Sequence, residues 1–94
     1  MTKESIRPQY ERTNLLGIDT MIVRYKGVVI SLAYSKKELL ILFVKSEHEG
    51  LGYTQELLKL IQKGYPDKKI IGSVPLHPAM QHIYDKLNIE YQSS

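Results

Sequence analysis

Residues 38–63 read ELLILFVKSEHEGLGYTQELLKLIQK, and the change of period inside this stretch decides the fold. Residues 39–44 (LLILFV) are apolar without interruption but far shorter than the ~20 residues a bilayer span requires. Such a run is expected to form a central strand, the most buried of the chain, covered on both faces. Residues 45–52 then turn polar and carry two glycines. From Tyr53 onward the apolar positions Leu57, Leu58, Leu60 and Ile61 share one helical face, with Glu56, Lys59, Gln62 and Lys63 opposite. The stretch predicts strand, glycine turn and amphipathic helix in direct succession.

Upstream, Met21, Val23 and Tyr25 alternate with Ile22 and Arg24, which is strand periodicity. Lys26-Gly27 supplies a two-residue hairpin turn, because glycine accepts positive φ. Val28, Val29, Ile30, Leu32 and Tyr34 form the return strand, and residues 35–37 (SKK) turn the chain again. Residues 1–19 show no dominant period; Leu15, Leu16 and Ile18 are candidates to begin a strand or to dock as an edge. Downstream of the helix, Gly64 is placed as a C-terminal cap and Pro66 prevents its resumption. Ile70, Ile71 and Val74 predict a short strand, brought in as a parallel neighbour by the crossover helix. Pro78 suits the first turn of a second helix carrying Met80, Ile83, Tyr84 and Leu87. Asn88 is a left-handed cap, and Ile89 with Tyr91 suggests a final strand. The expected order is β-β-β-α-β-α-β: one α+β domain, an α/β sandwich on a mixed, mostly antiparallel sheet.

Composition narrows the function classes. The 94 residues suffice for one small domain, with 43% hydrophobic and 24% charged residues, which excludes a disordered or fibrous chain. There is no cysteine, hence no disulfide framework, thiolate nucleophile or Cys-ligated zinc. Thirteen Lys and Arg against ten Asp and Glu give a net charge of +3 with scattered basic residues, which is a poor footprint for nucleic acid. His77 and His82 are five apart with Pro78 between them, a spacing unsuited to a helical metal site. No membrane segment or secretory leader is seen, so a cytoplasmic protein is the expectation. A chain this short also leaves apolar sheet surface for a second copy, so a homodimer is compatible with it.

Chemistry concentrates in residues 47–54, EHEGLGYT. Two glycines one residue apart allow a sharp turn that exposes successive N–H groups, and the helix behind adds the positive end of its dipole. Such a turn can hold a phosphate or pyrophosphate; it can equally be a strand-to-helix turn chosen for geometry alone.

The order of these features, with residues 83–91 (IYDKLNIEY), resembles the GNAT superfamily of N-acetyltransferases over about residues 20–91. The family pattern is a Gln/Arg-x-x-Gly-x-Gly/Ala loop after its fourth strand. A later helix reads roughly Asn-x-x-Ala-x-x-x-Tyr-x-Lys-x-Gly-Phe. Gly50 and Gly52 match the loop glycines, Tyr84 and Lys86 the helix, and Asn88-Ile89 stands where Gly-Phe is usual. The departures are Glu47 at the Gln/Arg position, a second carboxylate at Glu49, a short link from Val44 to Gly50, and His77 and Met80 in the second motif. Two carboxylates beside a phosphate call for compensation by Lys45 or another cation.

The resemblance implies that acetyl-CoA binds as acyl donor and that an amine accepts the acetyl group. Leu51, Gly52, Tyr53 and Thr54, with Gly50, would hold the pyrophosphate through main-chain amides. Leu42, Phe43 and Val44 would present main-chain groups to the pantetheine arm at a splay between strands. Tyr84 would protonate the departing thiolate, and Glu38 or a water would deprotonate the amine. Read as bare residues, Tyr84 is also a fitting core tyrosine and Glu38 a solvated strand-end carboxylate. The alternative reading is a GNAT-like module without catalysis, used for protein contact or regulation.

Overall fold

The computed structural model describes residues 7–47, 50–75 and 77–92. Their elements are β1 (Gln9–Leu15), β2 (Ile18–Tyr25), β3 (Val28–Tyr34), β4 (Glu38–Ser46), α1 (Tyr53–Gly64), β5 (Lys69–Gly72), α2 (Pro78–Leu87) and β6 (Glu90–Tyr91). The strands form one sheet in chain order, β1 to β4 antiparallel, β4–β5 and β5–β6 parallel. The α+β class and mixed sheet agree with the sequence, but four strands precede the first helix instead of three.

The additional strand is β1. It runs antiparallel to β2 from Gln9↔Arg24 to Leu15↔Ile18, so the N-terminal segment contains an edge strand of seven residues. Leu15 ends β1 and Ile18 begins β2; Leu16 is the turn between them, with φ +54°. Lys26-Gly27 forms the corresponding turn between β2 and β3, with φ +47° and +79°. Positive φ at both central residues gives the turn whose twist matches that of the flanking strands.

Alternation along the strands sorts the sheet into two faces. Met21, Val23, Tyr25, Val28, Ile30, Leu32, Leu39, Ile41 and Ile70 are buried together with Leu57, Leu58 and Ile61 of α1 and Tyr84 of α2. Both helices therefore lie on one face. A Cβ added to Gly72 would stand 2.6 Å from the Tyr84 ring, which fixes α2 on the same side as Ile70. The Gln62 amide donates to the Leu87 carbonyl at 3.2 Å and joins the helices.

The expectation that residues 39–44 are covered on both faces is corrected. Leu39 and Ile41 are fully buried, but Leu42 is 45% and Phe43 52% exposed. Continuous apolarity signals burial on both sides only if something covers the second face, and no helix among the described residues does. A β-bulge contributes: Ser31 pairs with Phe43 and Leu32 with Ile41, so Leu42 is an extra residue in β4.

Three smaller boundaries also differ. Gly64 is the last residue of α1 and the cap is Tyr65, whose φ of −133° needs no glycine. Val74 lies beyond β5, which ends at Gly72. Asn88 does adopt the left-handed cap after α2, at φ +57°, and Pro78 opens that helix.

Candidate functional site

The β4–β5 ladder covers only Glu38↔Lys69, Leu39↔Ile70 and Leu40↔Ile71. Past Leu40 the strands part: β4 continues to Ser46 while β5 ends at Gly72. Leu42, Phe43 and Val44 all lie in the part of β4 that has no β5 partner, still held on the other side by β3 through Phe43↔Ser31 and Val44↔Ile30. Their side chains diverge. Val44 pairs with buried Ile30 and packs against the core, Phe43 faces away from the helices, and Leu42 occupies the bulge. What the three share is a stretch of main chain at the mouth of an opening between parallel strands.

The Gly50–Gly52 turn stands at the same end. Both glycines are left-handed, at φ +85° and +78°, and a Cβ at either would meet nothing within 4 Å. The approach to their backbone is therefore open. Gly52 is the N-cap of α1 and gives no side-chain cap, and the first helical bond runs from the Glu56 amide to the Gly52 carbonyl at 3.0 Å. The amides of the first turn thus lack intrahelical acceptors and point toward the glycine turn. Leu51 is exposed, and Tyr53 and Thr54 are half-buried at the helix start. These residues fit an anionic, phosphate-bearing group: among the described residues nothing lies within 4 Å of a Cβ at either glycine, and the dipole has the right sign.

Sequence reasoning missed the charged cluster beside this turn. The Tyr25 hydroxyl donates to the Glu56 carboxylate, and the Lys26 ammonium lies 3.4 Å from the same oxygen. Lys26 also stands 5.0 Å from the Tyr53 ring centroid and 5.2 Å from that of Tyr25. The hydrogen bond from Tyr25 holds the Glu56 carboxyl below its usual range, with Lys26 adding to the effect. Tyr25 is pushed above the ordinary phenol value, first by its bond to Glu56 and then by burial. Lys26 is raised above the ordinary ammonium value by its contact with Tyr25 and by the Glu56 charge. The β2–β3 turn thus delivers a cation to the N-terminus of α1. Thirty residues separate Lys26 from Glu56, and no local pattern marks them as partners.

Glu47 donates its amide to the Gly27 carbonyl at 3.1 Å, which ties the end of β4 to that hairpin. A shallow cavity of about 650 Å³ lies there, with Arg24, Lys26, Glu47 and Tyr53 in its lining. Lys45 pairs across to Val29, on the sheet face away from the helices, so Lys26 rather than Lys45 is the lysine at the helix start. Glu49, the second carboxylate of the motif, lies outside the described residues.

Tyr84 is 1% exposed, stacks on Tyr91 with ring centroids 5.3 Å apart, and rests on Gly72 where β5 leaves β4. Its hydroxyl makes no hydrogen bond among the described residues. Glu38 is at the closed end of the ladder, three residues up β5 from Gly72, a separation of about 10 Å along the strand. It faces away from the helices, so Glu38 and Tyr84 are not brought together. The Ser35 and Glu38 backbones close the preceding turn through a 3.0 Å bond. Among the described residues no group of His, Asp and Glu could hold a metal, and no helix is long and apolar enough to cross a membrane.

No family model matches this chain, and neither a curated protein nor a solved structure matches it.

Proposed function

We propose that this chain is a small GNAT-like protein that binds acetyl-CoA and transfers its acetyl group to an amine. The observation that carries this reading is the coincidence of three features at one end of the sheet. Parallel strands part after Leu40 and Ile71, a Gly-x-Gly turn with open backbone leads into α1, and Tyr84 sits where β5 ends. Any one of them has a purely structural explanation; their convergence is what an extended thioester donor would use.

In this reading the amides of residues 51–54 and Lys26 hold the pyrophosphate. The unpaired edge of β4 at residues 42–44 orients the pantetheine and polarises the thioester carbonyl. The neutral amine attacks the carbonyl carbon, the C–S bond breaks, and Tyr84 gives its phenolic proton to the leaving thiolate. The Tyr84 hydroxyl makes no bond among the described residues that this role would have to break. Glu38 stands at the far end of the ladder, so the amine loses its proton to water rather than to that carboxylate.

The position of Glu38 favours the second reading, a GNAT-like module that contacts other proteins without catalysis. Calorimetry with CoA separates the two. Binding that is lost in Gly52→Val, with fold retained by circular dichroism, supports the donor site, because a β-branched residue cannot adopt φ +78° without strain. No binding by the unaltered protein would sink the acetyltransferase reading.

A further inference from the structure

The sheet face away from the helices carries Ile22, Val29, Ala33, Leu40, Phe43 and Ile71, each next in the chain to residues packed in the core. Beside β4 its charges lie at the margins and are paired: Arg24, next to Val29, with Glu11, and Lys69, next to Glu38, with Glu90. Thr20, on the same face, is fully buried, and its hydroxyl donates to the Ile18 carbonyl at 3.0 Å, so it asks nothing of a partner. Phe43 is the chain's one phenylalanine, and half of it is exposed here.

Charges enter this face on β4 only at its two ends. Glu38 alternates with buried Leu39 and therefore shares the face with Leu40. Lys45 pairs with Val29, one step beyond the core pair Val44↔Ile30, and lies on the same face. One end of the strand is negative and the other positive. Neither Glu38 nor Lys45 has an ion-pair partner among the described residues.

We propose that a second copy of this chain covers this face in an isologous, two-fold dimer, with the two β4 strands crossing antiparallel. Reversal of β4 about its middle sets Glu38 against Lys45 of the other copy, and Lys45 against its Glu38. The same operation sets Leu40 against Phe43 and places the exposed Leu42 bulges together near the axis. A parallel arrangement would instead oppose like charges at both ends, so the strand selects its own direction. Strand spacings make the face roughly 20 Å on each side, smaller than the ~800 Å² per partner of a standard interface. The dimer is accordingly a weak one that responds to concentration and salt. This inference does not depend on acyl transfer.

Sedimentation equilibrium over a wide concentration range tests it, with folding checked by circular dichroism. The unaltered protein should reach a dimer at low ionic strength, and Phe43→Ser should remain a monomer. Glu38→Lys and Lys45→Glu should each weaken self-association roughly tenfold, since every altered dimer carries two repulsive pairs. Mixing these two variants should restore a heterodimer, because both cross-pairs then have opposite sign. A protein monomeric at every concentration, a Phe43→Ser variant that dimerises normally, or a mixture that fails to recover would each overturn the proposal.

Discussion

The Tyr84 ring lies so close to Gly72 that a Cβ on the glycine would approach its Cζ to 2.6 Å. This contact joins α2 to the last residue of β5, at the point where β5 leaves β4. A hydrogen atom is the only side chain that fits. The same ring stacks on Tyr91, the partner of Gly72 in the β5–β6 pairing.

Gly72→Ala should therefore destabilise the fold by about 1–3 kcal/mol, the usual effect of overfilling a packed site. The loss should be smaller in a Tyr84→Leu background, where the ring is gone, although that background is itself less stable. Chemical denaturation of the four proteins forms the cycle. An additive result would mean that the clash is relieved elsewhere and that the ring does not define the site.

Tyr84→Phe isolates the hydroxyl from the ring. Because the hydroxyl bonds to nothing among the described residues, the denaturation midpoint should hardly change. If Tyr84 is the proton donor, acetyl transfer should fall by roughly 10²–10⁴, the range for a positioned general acid. Binding of CoA should persist. A full rate in Tyr84→Phe would leave the tyrosine as a packing residue alone.

The strands of the meander and both helices were legible because each carries its own period: Met21, Val23 and Tyr25 for β2, Leu57, Leu58 and Ile61 for α1. β1 was not, since QYERTNL buries little and alternates nothing apolar. It is held by its ladder to β2, by Glu11 accepting from Arg24 at 2.9 Å, and by Arg12 over the Tyr34 ring at 3.5 Å. Those partners are distant in sequence. The run at residues 39–44 misled for the opposite reason, because its composition says nothing about whether a second layer exists. The Gly50-x-Gly52 turn and Tyr84 stood out because their signals are local, whereas Tyr25, Lys26 and Glu56 meet only after the sheet has formed.

That trio sets a pH window. Glu56 is more acidic folded than unfolded, so its contribution is present above the ordinary carboxylate value and fades as pH falls through the lowered folded value. Tyr25 and Lys26 are raised, so theirs is present below about pH 10 and is lost as pH climbs through the raised values. Glu56→Gln should flatten both limbs of the stability profile, leaving its dependence at neutral pH nearly unchanged. Parallel profiles for the two proteins would show that the cluster is not formed in solution.

The two hairpin turns offer an internal comparison. Leu16 and Lys26 both hold a strained left-handed φ, +54° and +47°, before a glycine. Leu16 is fully solvent-exposed, so its side chain recovers nothing for that strain. Asparagine tolerates this conformation better and is favoured in such turns, so Leu16→Asn should stabilise the protein by about 0.5–1 kcal/mol. The adjoining bond from the Gly17 amide to Asn14 Oδ1, 3.0 Å long, does not involve the Leu16 side chain and should survive. Lys26 obeys the same backbone argument but is tied to Glu56 and lies over the Tyr25 and Tyr53 rings. Lys26→Asn relieves the same strain while losing those contacts, so its gain should be smaller or absent. Equal gains at both turns in denaturant melts would show that the Lys26 cluster contributes nothing to stability, and no gain at Leu16 would refute the strain argument.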